Sequence, residues 1–362
     1  MKEWNLSLLS KLIRKNPGVS RADLTAKTNL SPTTVSSLVA ELIENGLVRE
    51  IGVGESAAGR KPILLELIPN GRIGLGISVN HDGILVAPVN LVGQPLVTYT
   101  SKVDLADGNA ILSQIIEGIE DCLKYLEQHE LKENLAGAGI GLLGLVEGVK
   151  TRYLLGDEWY ELDLSPLIER YSNQFDFVIE NDVNAMALGE TWFGFGEEDR
   201  HVLYVYLGYG LGAGLIIDGM LYRGAYGNAG ELGHMSITPS GPKCSCGLPG
   251  CVGKIADGTH VLMKIKEALE NNEPTAMTYD TLTVSHFLQA VEDEDELCLK
   301  LLDDMVFDLS RTIVSAVNLL NPSLIILGGL LCPPNSSVSQ KLIKTIKENS
   351  IEGHRDDFKV VV

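Results

Sequence analysis

A change of pattern near residue 71 limits the folds open to this chain more than any other feature of its sequence. Before it, apolar residues recur at helical spacing in short segments that begin at capping residues. After it, short apolar runs alternate with Gly-rich turns and amphipathic stretches, as strands and helices do in α/β proteins. The 362 residues also exceed the length of one ordinary domain. We therefore predict a mainly helical domain at 1–70 and a two-lobed α/β body, with lobes at 71–186 and 187–362.

Three helices and a hairpin are predicted within the first domain. Residues 5–15 carry one apolar stripe, and Ser20 and Asp23 have the spacing of a capping box that begins a second helix. Ser31, followed by proline, begins a third helix. Two apolar runs on either side of a Gly-rich tip at 52–62 then predict a wing. This order is typical of a winged helix-turn-helix, and a helical protein-interaction domain is the alternative.

The third helix carries short hydroxyl side chains on its first turns and no carboxylate before Glu41. A helix that enters the DNA major groove, roughly 12 Å wide, needs small donors and acceptors there and no negative charge beside phosphate. The wing tip is basic and extended, which suits a narrow minor groove. We therefore predict that this domain binds DNA. The candidate contacts are Ser31, Thr33, Thr34, Ser36, Ser37, Arg60 and Lys61, with Arg49 as a further phosphate contact.

The distribution of charge agrees with this assignment. The formal net charge of −19 argues against nucleic acid, but residues 1–70 hold nine basic and seven acidic residues, a net of +2, which leaves −21 for the body. A chance fluctuation in a short segment is the alternative. No apolar run approaches the roughly 18 residues needed to span a bilayer, and the N-terminus lacks the apolar core of a signal peptide. We expect a cytoplasmic protein without membrane insertion.

Three of the six cysteines lie close together and close to a histidine. His234, Cys244, Cys246 and Cys251 supply one imidazole and three thiols within eighteen residues, and glycines between them let the backbone wrap around one ion. A tetrahedral set of this kind suits Zn²⁺, and four protein ligands make such a zinc structural. We predict a structural zinc site; reduced cysteines with an unrelated histidine are the alternative.

A second group of polar residues follows a predicted strand. Asn181 and Asp182 stand at its end, where their side chains suit the vicinal hydroxyls of a sugar, and Glu231 lies three residues before His234, so that the zinc would fix its position. We predict a sugar site of Asn181, Asp182, Glu231 and His234 in a cleft between the lobes. The alternative is that Asn181 and Asp182 only cap the next helix.

Together these residues resemble the ROK family of sugar kinases and sugar-responsive repressors. The matching segments are ELGH at 231–234, CSCGLPGC at 244–251, LGYGLGAG at 207–214, IENDVNA at 179–185 and NPSLIILGGL at 321–330. The resemblance implies an actin/hexokinase-like (ribonuclease H-like) body and a hexose, pentose or amino sugar as ligand. It also implies that the Asp of the IENDVNA segment is the base in kinase members.

Departures from the family pattern bear on activity. Kinase members begin the body with a DxGGT-type loop that handles metal and phosphate; here Ser78 replaces the acidic residue, and Asn80 and His81 replace the Gly pair that lets a backbone approach phosphate. Tyr209 stands where the second phosphate turn has Thr. We therefore predict that the chain is not an enzyme; a ROK sugar kinase fused to a DNA-binding head is the alternative.

Other departures bear on the ligand and the C-terminus. Gly253 replaces a Glu that contacts sugar in the family, and Leu143 replaces a common Pro, which predicts an unusual specificity. The sequence ends on a predicted strand at 356–362, where the family usually adds a strand–helix unit, so we expect a truncated chain or a differently closed lobe.

These observations together predict a repressor of a carbohydrate uptake or catabolic operon. We expect a homodimer or tetramer that binds a pseudo-palindromic operator with half-sites about 34–36 Å apart, or a multiple of that distance, and is released by a sugar. A body that docks a protein partner instead of a sugar is a further alternative.

Overall fold

The computed structural model describes residues 2–54, 61–156, 158–197 and 199–362. The chain forms two compact units. The first comprises Met1–Leu142 with Glu161–Ile179, and the second comprises Leu143–Tyr160 with Glu180–Val362. The predicted division at 1–70, 71–186 and 187–362 stays a prediction.

The N-terminal part of the first unit, residues 1–70, contains the predicted helices and hairpin and is called the head. Its helices are α1 (Lys2–Lys15), α2 (Arg21–Thr28) and α3 (Pro32–Glu44), and its strands are β1 (Val19–Ser20), β2 (Val48–Val53) and β3 (Ile63–Leu67). The strands form one sheet in the order β1-β3-β2. The two-residue β1 is an addition to the prediction, because so short a strand leaves no periodic signal in the sequence.

Side-chain caps set the helix boundaries in the head as the sequence predicts. The Ser20 hydroxyl accepts the Asp23 N–H at 3.3 Å, and the Ser20 N–H donates to the Asp23 carboxylate at 2.9 Å, which completes the capping box of α2. The Ser31 hydroxyl accepts the Thr34 N–H at 3.1 Å and caps α3. The first helix begins at Lys2, three residues before the predicted start.

The head joins the rest of the first unit through direct contacts. The Leu91 N–H donates to the Pro69 carbonyl at 2.9 Å, and the Asn134 side chain donates to the Asn70 carbonyl at 2.8 Å. Leu91 also packs against the apolar core of the head. The segment that leaves the wing is therefore fixed by hydrogen bonds and packing.

The rest of the first unit is built on a five-stranded sheet of order β11-β7-β4-β5-β6. Its strands are β4 (Ile73–Asn80), β5 (Gly83–Asn90), β6 (Tyr99–Ser101), β7 (Leu135–Leu142) and β11 (Phe177–Asn181), and its helices are α4 (Gly108–Gln128) and α5 (Ser165–Tyr171). A separate small sheet contains β8 (Leu145–Glu147), β9 (Lys150–Leu155) and β10 (Glu158–Asp163), of which β8 and β9 belong to the second unit. Strands β4, β5 and β6 form an antiparallel meander, and β7 pairs with β4 in parallel.

The second unit repeats this arrangement. Its sheet has the order β14-β13-β12-β15-β16, in which β12, β13 and β14 form an antiparallel meander and β15 pairs with β12 in parallel. The strands are β12 (Val202–Leu207), β13 (Leu211–Ile217), β14 (Met220–Leu221), β15 (Leu324–Gly328) and β16 (Lys359–Val361). The helices are α6 (Asp182–Phe193), α7 (Gly258–Glu270), α8 (Val284–Glu292), α9 (Glu296–Leu320) and α10 (Ser337–Asn349). Two similar α/β lobes are thus present, as predicted.

The core of the second unit forms where α9 covers the sheet. Leu302, Leu309 and Ile313 of α9 are buried with Val205 of β12 and Leu327 of β15. Within the described ranges, no helix is both long and apolar enough to cross a membrane.

Candidate functional sites

One face of α3 is turned to solvent and the opposite face is buried. Val35, Leu38, Val39 and Leu42 are buried in the head core, whereas Thr33, Ser36, Ser37 and Ala40 are exposed. The exposed positions follow the i, i+3, i+4, i+7 spacing of a single helix face. The predicted contacts Thr33, Ser36 and Ser37 therefore lie together on one uncharged surface.

The other predicted DNA contacts have different surroundings. Ser31 and Thr34 form the N-terminal cap of α3, where their hydroxyl oxygens lie 2.8 Å apart. Lys61 is exposed just before the strand that leads out of the wing tip, and Arg60 lies outside the described residues. Arg49 is ion-paired across the hairpin with Glu66, its Nε donating at 2.6 Å, so that part of its charge is neutralised within the protein.

The predicted metal ligands come together in the second unit. The ligand atoms of His234, Cys244, Cys246 and Cys251 all lie within 4.8 Å of one another. Cys244 Sγ is 3.6 Å from His234 Nδ1, and Cys246 Sγ is 3.5 Å from Cys251 Sγ. The ligand atoms of a tetrahedral zinc with N and S donors are separated by about 3.5–3.8 Å, so the cluster has the dimensions and the donor atoms for one such ion.

A tightly turned loop holds these ligands. The Cys244 N–H donates to the Leu248 carbonyl at 2.8 Å, and the Ile237 N–H donates to the Gly250 carbonyl at 2.9 Å. Gly250 has a φ of +67°, and a Cβ there would lie 1.8 Å from the Thr238 carbonyl oxygen. Only glycine fits this position, which explains its place immediately before the last cysteine.

The surroundings of two of the thiols shift their pKa values in opposite directions. Burial raises the pKa of the Cys251 thiol, whereas the Leu248 N–H lowers the pKa of Cys246. Thiolates are the metal-binding form, so a cation has to displace a proton from Cys251.

The predicted sugar residues lie at two places in the second unit. Asn181 caps α6: its Oδ1 accepts the Asn184 N–H at 3.0 Å and its Nδ2 donates to the Gly144 carbonyl at 3.0 Å. Asp182 is the first residue of α6, and its carboxylate accepts the Val183 N–H at 2.9 Å. The capping role expected as an alternative is therefore present at Asn181, and the sugar contacts of both residues stay predictions.

Glu231 and His234 lie on a turn that rests against β13. Gly230, with a φ of +94°, approaches the strand so closely that a Cβ would lie 1.9 Å from the Ala213 carbonyl oxygen. Glu231 Oε2 is 4.0 Å from His234 Nε2, while His234 Nδ1 points to the cysteine cluster. A metal bound at Nδ1 would thus orient the ring atom that faces Glu231.

The acidic groups of these two places influence one another. Burial raises the pKa of Asp182 from an ordinary 3.8 to about 6, and the charge of Glu231 adds to the shift. Burial likewise raises the pKa of Glu231. Asp182 is half-buried, whereas the Glu231 side chain is 42% exposed and so is open to a ligand. Two carboxyl groups with raised pKa values suit hydrogen bonding to hydroxyl groups, which donate to carboxylates and accept from carboxylic acids.

Two residues that depart from the family pattern are built into the second unit. Gly253 faces Gly233, and a Cβ at position 253 would lie 3.1 Å from the Gly233 carbonyl oxygen, so a larger residue needs a small shift. The Tyr209 carbonyl accepts the Thr259 hydroxyl at 3.0 Å.

Comparison with known protein families identifies both parts of the chain. The family model described as the ROK family matches residues 98–358. The chain belongs to the ROK family. A model described as winged helix-turn-helix DNA-binding matches residues 8–49 of this ROK protein. The predicted family and the predicted fold class are confirmed.

Curated relatives with similar sequences are regulators. The xylose repressor of Caldicellulosiruptor bescii is 30% identical, over all of this ROK protein and 92% of its own length. The xylose repressor of Bacillus subtilis is 32% identical, over 90% of this chain and 82% of its own. The DNA-binding transcriptional dual regulator NagC of Escherichia coli is 24% identical, over all of this chain and 89% of its own.

Solved structures include regulators and kinases of the same fold. A ROK family transcriptional regulator, a homologue of the E. coli MLC protein, has a TM-score of 0.81 and 26% identity, covering 99% of this chain and 91% of its own. A ROK glucokinase from Streptomyces griseus has a TM-score of 0.65 and 24% identity, covering 80% of this chain and 93% of its own. The glucokinase shows the shared fold. With its head and its relatives, this chain is a regulator and not a kinase.

Proposed function

We propose that this ROK protein is a sugar-responsive transcriptional repressor that leaves its operator when a sugar binds to the body. The observation that carries the proposal is the exposed, uncharged face of α3 on a winged helix-turn-helix head. Named xylose repressors that resemble the chain over nine-tenths or more of its length support the same role.

The candidate DNA-binding residues of the head have different roles. Thr33, Ser36 and Ser37 reach base edges in the major groove, and Lys61 contacts the backbone or the minor groove from the wing. Ser31 and Thr34 act through the cap, which orients the first turn of the helix and its N–H groups. A homodimer presents two such heads to a pseudo-palindromic operator.

The effector is a sugar held by Asp182, Glu231 and His234, with Asn181 offering its remaining amide hydrogen. Zn²⁺ bound by His234 and the three cysteines is structural, because four protein ligands complete a tetrahedral shell. The ion cross-links the loop and fixes His234, and the neighbouring Glu231 with it. Release of DNA requires that the sugar bind one state of the protein more tightly than the other.

The names of the relatives supply the candidate effectors. D-Xylose comes first, since the xylose repressors share 30–32% identity with the chain, and N-acetylglucosamine follows from repressors that are 24% identical. Fluorescence anisotropy with a labelled fragment of the chain's own promoter, with and without each sugar, tests the proposal. No complex at low salt with any native promoter fragment would exclude operator binding.

Charge placed on the α3 face tests the DNA contacts. Ser36→Glu and Ser37→Glu each put a carboxylate into the major groove between two rows of phosphates, and we expect a loss of DNA affinity of about 100-fold for either variant. Ser113→Glu adds the same charge to an exposed position of α4 and is the matched control. Equal affinities for Ser37→Glu and Ser113→Glu in the anisotropy titration would contradict the assigned face.

A further inference from the structure

Glu180 connects three parts of the second unit through its two carboxylate oxygens. Its Oε1 accepts the Asn181 N–H and the Asn184 side-chain N–H, each at 3.0 Å. Its Oε2 accepts Arg223 Nε at 2.7 Å. The side chain of Glu180 is only 14% exposed, whereas that of Arg223 is 51% exposed, so the bonds to Asn181 and Asn184 are the more shielded ones.

Arg223 belongs to the loop that leads to Glu231 and His234. Residues 222–228 are all exposed, and Gly224 and Gly227 have φ values of +70° and +85°. The Arg223 carbonyl accepts the Ala229 N–H at 3.1 Å, which places the arginine at the base of the loop. Its ion pair with Glu180 therefore ties this exposed loop to the junction of β11 and α6.

We propose that Glu180 and Arg223 are a positioning pair for the effector site, holding Asn181 and Asp182 in register with the turn that carries Glu231 and His234. The inference rests on the proposed function for its ligand, a sugar, but concerns two residues outside the site itself. Glu180 orients the α6 terminus directly, and Arg223 carries that constraint to the loop.

A surface ion pair contributes little to stability, but this one also involves a carboxylate that is bonded to a buried side chain, Asn184. Asn184 is 2% exposed, and in the described part of the chain its Oδ1 has no hydrogen-bond partner. Among the described residues, its side chain has one hydrogen bond, the donation to Glu180. Loss of the carboxylate would leave a buried amide without partners, so the pair is coupled to buried polar groups at the head of α6.

The effector arm of the test compares Arg223→Ala and Glu180→Gln with wild type, using D-xylose and N-acetylglucosamine as probes. We expect both variants to raise the sugar concentration for half-release of operator DNA by roughly tenfold, with DNA affinity in the absence of sugar within about twofold. Arg223→Lys keeps the charge and is expected to recover most of the response. The double variant should be no worse than either single variant, because both break one link.

Arg200→Ala is the matched control, since Arg200 also pairs with a carboxylate, Asp218, at 3.3 Å in the same unit. Equal effects of Arg223→Ala and Arg200→Ala would overturn the proposal, as would fully additive effects of the two single variants.

Hydrogen–deuterium exchange tests the link between Glu180 and Arg223 without any sugar. Arg223→Ala should speed exchange severalfold in peptides covering both 181–193 and 222–235, whereas Arg200→Ala should not. Changes confined to the loop would overturn the inference. If no sugar releases the wild-type protein, the proposed function fails and the exchange result alone decides the role of the pair.

Discussion

Asp182 places a carboxylate in a setting that disfavours its charge. Burial raises its pKa from 3.8 to about 6, although the Val183 N–H offsets part of the shift. A folded-state pKa above the unfolded value means that folding favours the protonated form. The stability from this group is therefore full below pH 3.8 and is lost as the pH rises through 6. A cost of this kind at neutral pH is typical of residues kept for binding.

The variant Asp182→Asn tests whether ionisation of Asp182 lowers the stability of the folded protein. The variant keeps an acceptor for the Val183 N–H and cannot ionise, so we expect the free energy of unfolding to rise by about 3 kcal/mol at pH 7.5 and by roughly half of that at pH 5. The same variant should lose most of the response to sugar. Urea unfolding at both pH values checks the prediction, with Asp176→Asn as the control at an exposed carboxylate. A gain that is the same at both pH values would contradict desolvation of a charged Asp182 as its cause.

The local pattern of the sequence predicts the hydrogen bonds of a residue only where its partner is a few positions away along the chain. The bonds of Ser20 with Asp23 and of Ser31 with Thr34 span three residues, and the sequence predicts both caps. Glu180 has one partner four residues away and another, Arg223, 43 residues away on a different element. No spacing rule connects those two positions, so their pairing emerges only from the fold.

At the scale of elements, the loop that carries the proposed zinc ligands Cys244, Cys246 and Cys251 can be tested separately from the head. Cys246→Ser removes one exposed ligand, and we expect the zinc content to fall from about one ion per chain to nearly none. The sugar response should weaken because His234 loses its anchor, while DNA affinity should stay within about threefold of wild type, since the ion lies outside the head. Elemental analysis and the anisotropy titration measure the two effects.

The matched control for the loop is Cys332→Ala, which removes a buried thiol outside the cluster. Because burial raises the pKa of Cys251, apparent zinc affinity of the wild type should also increase with pH between about 6 and 8. Full zinc content in Cys246→Ser would show that the cysteine is not a ligand.

The periodicity of apolar residues predicts most helices and strands. The exceptions can be explained physically. The strands of both meanders, except the two-residue β14, are apolar runs beside Gly-rich turns, so the sequence predicts them. Strands β8, β9 and β10 mix polar and apolar residues, and only β9 contains two buried positions, Thr151 and Tyr153. Their pairing depends on the surrounding chain, which a window of sequence does not contain.

At the scale of the whole molecule, function depends on coupling between a head and a body that differ in charge. The head carries a net of +2 and the rest of the chain −21. Such an acidic body adds no attraction to DNA, so specific binding depends on the head, and its affinity should fall steeply with salt. Charge and motifs in the sequence are enough to predict that the head binds DNA and the body binds the sugar. The identity of the sugar depends on the shape of its site, which the sequence does not give.

If the sugar and the operator shift the same conformational equilibrium, each must change the affinity of the protein for the other by the same factor. Suppose that saturating D-xylose raises the Kd for operator DNA by a factor of about 50, equivalent to about 2.3 kcal/mol. Saturating operator DNA must then raise the Kd for D-xylose by the same factor, within experimental error. Isothermal titration of the sugar into the free protein and into the protein–operator complex measures it, with non-specific DNA of equal length as the control. An unchanged Kd for the sugar, despite release of DNA, would show that the two ligands do not share a conformational equilibrium.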